Sequence, residues 1–249
     1  EETRAAARDV VGRAQALAPG AIDAIVPHGT RDVALRFRGL EFARWHGGQL
    51  HLGPSEDRRA AQTKRRVTLE SLIKELNTVR HPHAADKNHP LYRAAAERWL
   101  ESLAMADITT IDARLNPQHV YPQVPALSGS GPDSAGAGRG VMDLLGVTRE
   151  GRLAVIELKA SEDIHLALQG MDYWLRVRWH MQQGDFSRYG YFSGVELQPR
   201  PPLLYLVAPG FRFHPATDTL LRYILPEVEC VRVGLNEDWR RGLKVVFRQ

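Results

Sequence analysis

The sequence predicts an α/β fold, a mixed central β-sheet flanked by helices and preceded by a small α+β region at the N-terminus. Three observations carry this reading. Residues 141–148, 152–159 and 201–208 are apolar runs of strand length, the pattern of strands covered on both faces. Helical patterns with apolar residues three and four apart lie between such runs. Upstream of Pro90 the strands instead alternate apolar with polar residues, so the chain is divided into a first region, 1–89, and a second, 90–249.

In the first region, residues 4–17 read as a helix stopped by Pro19-Gly20. Alternation over 33–38 predicts a strand, and 40–45 faces 49–52 across Gly47-Gly48 as a hairpin. Thr68 is placed to cap a helix carrying Leu69, Leu72, Ile73 and Leu76. The following loop holds His81, His83 and His89; with two prolines and no carboxylate fixed beside them, a polar connector is favoured over a metal site.

In the second region, Pro90 suits a helix start, and Tyr92, Ala95, Trp99 and Leu103 form its stripe, with Glu97 and Glu101 on another face. Residues 120–127 are a strand whose prolines suit a sheet edge. The Gly/Ser/Ala-rich stretch 128–140 is expected to be a mobile surface loop whose tip could touch substrate. Residues 141–148 and 152–159 then form a buried hairpin about Glu150-Gly151. A long helix follows, with Ser161 as its cap and Ile164, Leu168, Met171, Leu175 and Trp179 as its apolar stripe. A strand at 201–208, a helix at 216–225 and strands at 228–235 and 243–248 complete the pattern.

Composition excludes several classes. The 249 residues contain no apolar run of the ~20 needed to cross a bilayer. The single cysteine, Cys230, rules out an internal disulfide and a cysteine-rich zinc site, and favours a reducing, cytoplasmic setting. The chain opens Glu1-Glu2-Thr3, with neither Met nor a basic-then-apolar leader, as expected of a piece of a longer protein. The net charge of +4 lies wholly in the first region, which holds fifteen basic against eleven acidic residues. Arg58, Arg59, Lys64, Arg65 and Arg66 cluster there, either as a contact for nucleic-acid phosphates or as a solvated helix face.

Chemistry concentrates on the predicted hairpin. Glu157 and Lys159 are two residues apart and so share a strand face, and a turn at Glu150-Gly151 brings Asp143 level with Glu157. Two carboxylates on a rigid hairpin are hard oxygen ligands suited to Mg²⁺, with Mn²⁺ expected to substitute, while Lys159 would face an attacking water. A Glu-x-Lys triplet alone is more often a surface ion pair. Here apolar neighbours carry the charges into the edge of a core, where unpaired burial is costly and is tolerated mainly for function.

On Gly140-Val-Met-Asp143, Val155-Ile-Glu157-Leu-Lys159 and the element order from about Pro90 to Leu206, the chain resembles the PD-(D/E)xK nuclease superfamily. The resemblance implies a restriction-endonuclease-like fold, with Asp143 and Glu157 as metal-binding acids and Lys159 as the motif's lysine. Ala96-Glu97-Arg-Trp-Leu100 is similar to the first motif of archaeal Holliday-junction resolvases and would add Glu97 to the site, with Glu101, one turn on, as the substitute. Gln169-Gly-Met-Asp-Tyr173 is similar to the Gln-x-x-x-Tyr pattern of the helicase-associated exonucleases, which would make Gln169 and Tyr173 substrate-positioning; packing is the competing role. The literal Pro-Asp pair, Pro132-Asp133, falls in the Gly-rich stretch, and Asp143 is preferred because a strand fixes it.

The expectation is therefore a Mg²⁺-dependent nuclease acting on DNA in repair, recombination or restriction. The alternatives are an inactive nuclease-fold domain that binds nucleic acid or acts as a scaffold, and a hydrolase of another phosphate ester with a deep closed pocket. A homodimer or a partner protein would serve the cutting of two strands, though no residue pattern selects either.

Overall fold

A computed structural model describes residues 2–27, 29–53, 68–125, 140–224 and 226–249. The basic cluster Arg58, Arg59, Lys64, Arg65 and Arg66, the Pro132-Asp133 pair and all of the Gly-rich stretch except Gly140 lie outside these residues. The chain forms two compact units, Glu1–Ser102 and Leu103–Gln249.

The first unit opens with α1 (Glu2–Ala6) and α2 (Arg8–Leu17), two helices where one was expected. A four-stranded antiparallel meander follows: β1 (Ile22–Ile25), β2 (Val33–Phe37), β3 (Leu40–His46) and β4 (Gln49–Leu52), in that spatial order. β1 was missed because Ile-Asp-Ala-Ile is only four residues long, too short for alternation to register, although Pro19-Gly20 and Pro27 bracket it. α3 (Leu69–Val79) starts where Thr68 accepts a hydrogen bond from the Ser71 backbone N–H and the Ser71 hydroxyl accepts one from the Thr68 N–H, a reciprocal cap. Its Leu69, Ile73 and Leu76 bury against Leu35, Phe37, Phe42 and Ala43 of the sheet.

The next two helices, α4 (Pro90–Arg93) and α5 (Ala96–Ala106), were expected as one; Ala95, with φ +46°, breaks them. The units divide within α5 and not at Pro90. Arg80 explains why this segment stays with the first unit. Its buried guanidinium donates to the carbonyls of Phe37, Leu91, Ala94 and Ala95 and lies over Trp99, which meets Tyr92 edge-on. A hub of this kind leaves no mark in apolar periodicity. The loop histidines serve the backbone: His89 Nδ1 accepts from the Leu91 N–H, and His81 Nδ1 from the His83 N–H.

The second unit is built on a six-stranded mixed sheet, ordered β10-β9-β8-β7-β6-β5. β5 (Leu115–Pro125), β6 (Val141–Thr148) and β7 (Leu153–Leu158) are antiparallel, and β5 is an edge strand, as its prolines require. The chain then crosses by α6 (Leu166–Gln182) and the short α7 (Asp185–Arg188) to β8 (Leu203–Pro209), which runs parallel to β7. α8 (Ala216–Leu221) crosses to β9 (Glu229–Leu235), parallel to β8, and β10 (Val245–Arg248) returns antiparallel. The mixed α/β character is as expected.

α6 departs from expectation in its orientation. Leu166, Ala167, Gly170, Tyr173, Trp174 and Val177 are buried against β7 and β8; of the expected core stripe, Ile164, Leu168, Leu175 and Trp179 face solvent and only Met171 packs against the core. Close approach decided this. A Cβ at Gly170 would lie 2.6 Å from Leu206 Cδ2 and 3.1 Å from Leu204 Cδ1, so only a glycine face lets the helix settle there. The Trp174 indole N–H then reaches the Pro202 carbonyl at 2.7 Å. Counting Leu, Ile and Trp as the core weighted bulk alone, whereas the close approach at Gly170 set which face turns inward, with Leu166, Tyr173, Trp174 and Val177 packed beside it.

Candidate active site

β6 and β7 pair in the register Leu144↔Ile156, so the next step outward sets Asp143 level with Glu157. On this face Leu145, Val147, Leu153 and Val155 form the core under α6, and Asp143, Glu157 and Lys159 continue the same alternation to its rim. All three are buried, Glu157 to 2% exposure. The strand end is held in two ways. One Asp143 carboxylate oxygen, Oδ2, accepts from the Leu158 N–H at 2.9 Å, and the Lys159 N–H donates to the Val207 carbonyl of β8 at 2.9 Å. Pinned backbone on both sides fixes where these side chains begin, which catalytic geometry demands.

The Lys159 ammonium lies 3.7 Å from Glu157 Oε1 and 3.6 Å from Asp163 Oδ2. Asp163 was not anticipated. Its other oxygen accepts from the His165 N–H at 2.8 Å and its carbonyl from the Leu166 N–H, so it, and not Ser161, closes the turn that launches α6. The available signal was its place four residues after the lysine, beyond the end of the strand.

Tyr173 joins the site from α6. Burial first, then the carboxylates of Glu157, Asp143 and Asp172, against an opposing pull from Arg176, push its hydroxyl up to about 12. It stays a neutral phenol across the physiological range, able to donate a hydrogen bond. Gly140, at the head of β6, gives the ring room: a Cβ there would sit 2.9 Å from Tyr173 Cε1 and 3.0 Å from its hydroxyl oxygen. Gln169 is one turn earlier on the same flank, and its Oε1 is buried with no hydrogen-bond partner among the described residues. Further along this flank, Arg176 pairs with Asp172 at 2.9 Å and His180 with Asp185 at 2.7 Å.

The helix acids are placed differently. Glu97 is half-buried in the first turn of α5, within the first unit, whereas the residues that converge here belong to the second. Glu101 is buried in the first unit, where Arg36 and Arg98 hold it at 2.8 and 2.5 Å; it is part of that unit's core.

Comparison with protein-family models, curated proteins and solved structures found no match. The site's chemistry must therefore be read from its own groups. Asp143, Glu157, Asp163 and Lys159 gather at this rim, with the ammonium between the carboxylates of Glu157 and Asp163, while Asp172 and Arg176 pair on α6. Carboxylates held at the edge of a core are groups that can meet a cation. Among the described residues no three His, Cys, Asp or Glu side chains are grouped to hold a metal ion. Two carboxylates are nonetheless a set that suits Mg²⁺, which keeps several waters and takes one or two protein acids beside substrate phosphate oxygens. No helix among the described residues is long and apolar enough to cross a membrane.

Proposed function

We propose that the second unit is a Mg²⁺-dependent nuclease of the restriction-endonuclease-like, PD-(D/E)xK type, acting on DNA phosphodiester bonds. The observation that carries this reading is the convergence of Asp143, Glu157, Lys159 and Tyr173 at one face of the β6–β7 hairpin, with the ammonium set between Glu157 and Asp163. The order hairpin, α6, parallel β8 supports the fold assignment. Asp143 and Glu157 would hold the metal, with Mn²⁺ able to replace Mg²⁺. The metal would supply Lewis-acid stabilisation of charge on the phosphate and lower the pKa of water.

The protein's own groups do the rest. Lys159, steadied between Glu157 and Asp163, aims three N–H donors at the site, to orient an attacking water and to offset negative charge growing at the phosphoryl oxygens. Tyr173, a donor that does not ionise near neutrality, and Gln169 position the phosphate or strand. Asp163 is a positioning residue that acts through Lys159.

The test is incubation of the full chain with duplex, single-stranded and branched DNA in Mg²⁺ or Mn²⁺. Cleavage is expected, suppressed by chelator and reduced about 10²–10³-fold or more in Lys159→Ala, with an unchanged circular dichroism spectrum. If all three DNAs stay intact, the reading fails. DNA binding without turnover, with no Mg²⁺ binding by calorimetry, would leave the inactive, nucleic-acid-binding domain in its place.

A further inference from the structure

Among the described residues with positive φ, all but Arg38, Ala95, Gln123 and Phe192 are glycines. A side chain at such a position is disfavoured and persists where its surroundings dictate it. Three of the four have such surroundings. Arg38 donates to the Arg80 carbonyl and accepts from the Arg80 guanidinium, the Ala95 carbonyl accepts from the same guanidinium, and the buried Phe192 donates its N–H to the Tyr121 hydroxyl. Gln123, with φ +54°, stands elsewhere, inside β5 and beside the carboxylate site. The pairs Pro122↔Leu144 and Val124↔Met142 set it level with Asp143 on the neighbouring strand. β5 is the edge of the sheet, so Gln123 flanks Asp143 on the side away from Glu157.

Packing accounts for the bend but not for the residue. Tyr121 and Val124 are three residues apart, which regular alternation would put on opposite faces, yet both pack against the core under α6. A left-handed residue between them reconciles the two, and glycine would do so without strain. What glycine lacks is the carboxamide. Residues opposite each other in an antiparallel pair have Cβ atoms ~4.5–5.5 Å apart, a gap that an amide carried beyond the Cβ can span. We propose that Gln123 is a positioning residue that acts through Asp143. Its carboxamide N–H donates to the Asp143 carboxylate from β5, while the Leu158 N–H holds Oδ2 from β7. Donors on both sides fix the rotation of the carboxylate, as a metal ligand requires. The inference rests on the reading of Asp143 as a ligand for Mg²⁺.

Calorimetric titration of the full chain with Mg²⁺, run beside the cleavage assay, tests it. Gln123→Met keeps length and bulk and removes the donor; Gln123→Gly adopts the same φ freely and removes the side chain. Each should weaken Mg²⁺ binding about 10–100-fold, the scale for a group that orients a metal ligand, at unchanged circular dichroism. The Mg²⁺ concentration for half-maximal cleavage should rise in step, with a smaller fall in rate at saturating Mg²⁺. Either variant binding Mg²⁺ as tightly as wild type overturns the proposal and leaves the bend to the packing of Tyr121 and Val124. A wild type that binds no Mg²⁺ overturns the assignment of Asp143 and this inference with it. A wild type that binds Mg²⁺ and cuts no DNA overturns the nuclease reading alone, since the affinities of the two variants still decide the role of Gln123.

Discussion

Each unit buries a cluster of charge, and the two clusters are finished differently. In the first unit Arg36 bridges Asp23 and Glu101, and Arg98 takes the remaining Glu101 oxygen, so two guanidiniums answer two carboxylates. Burial alone would loosen the Arg36 proton, but Asp23 and Glu101 more than reverse this and raise its pKa. In the second unit Lys159 lies between Glu157 and Asp163, and Asp143 accepts from the Leu158 N–H alongside. The first cluster locks a core; the second stands at the rim of a sheet, where the proposed site would take its ligand. Burial of charge by itself does not distinguish a site from a structural network.

Breaking the balanced cluster should have the largest effect on stability. Arg36→Met leaves Asp23 and Glu101 facing each other and is expected to cost about 3–5 kcal/mol in urea unfolding of the first unit, without lowering cleavage per folded molecule. The hairpin site should respond through its ligand. Asp143→Asn can still accept from the Leu158 N–H while removing one like charge. In chelator its melting temperature should equal or exceed wild type. Saturating Mg²⁺, worth about 2.7 kcal/mol at a hundredfold excess over Kd, should stabilise wild type and leave the variant unmoved.

Two smaller effects sharpen the contrast. Tyr173→Phe keeps the packed ring and loses the donor, so kcat should fall about tenfold, the scale of one hydrogen bond, with little change in melting temperature. Gly140→Ala should lower kcat in the same direction by displacing that ring. The smallest effect concerns a second completed network, where Asp112 accepts from Arg114 and from the Tyr205 hydroxyl at 2.8–3.1 Å. Burial raises the Asp112 pKa, but those partners more than reverse it and hold it below 3.8. Its contribution is therefore complete above that value and fades as pH falls through the lowered one. Asp112→Asn should cost about 1 kcal/mol near neutrality, with the gap to wild type closing in acid.

The hairpin was readable because two-residue alternation and a short turn fix register: Asp143, Glu157 and Lys159 fall on one face from spacing alone. The Thr68 cap was equally local. The reading went astray where long-range contact decided. Glu101 has the helical position expected of a site acid, but Arg36, sixty-five residues earlier, claims it. The α6 stripe had the right period and the wrong face, since Gly170 fits against Leu206 and a bulky side chain could not. Asp163 acquires its role through an ammonium and a helix start at the end of β7, a junction that periodicity does not register.

By itself the sequence determined the strands of the second unit, their hairpin register and the presence of three polar side chains at its rim, because backbone alternation is a local property. The tertiary structure alone decided which face of α6 turns inward and that Glu101 is taken up by arginines of the first unit. Those outcomes depend on what a distant segment brings within a few ångströms, and neither period nor composition records that.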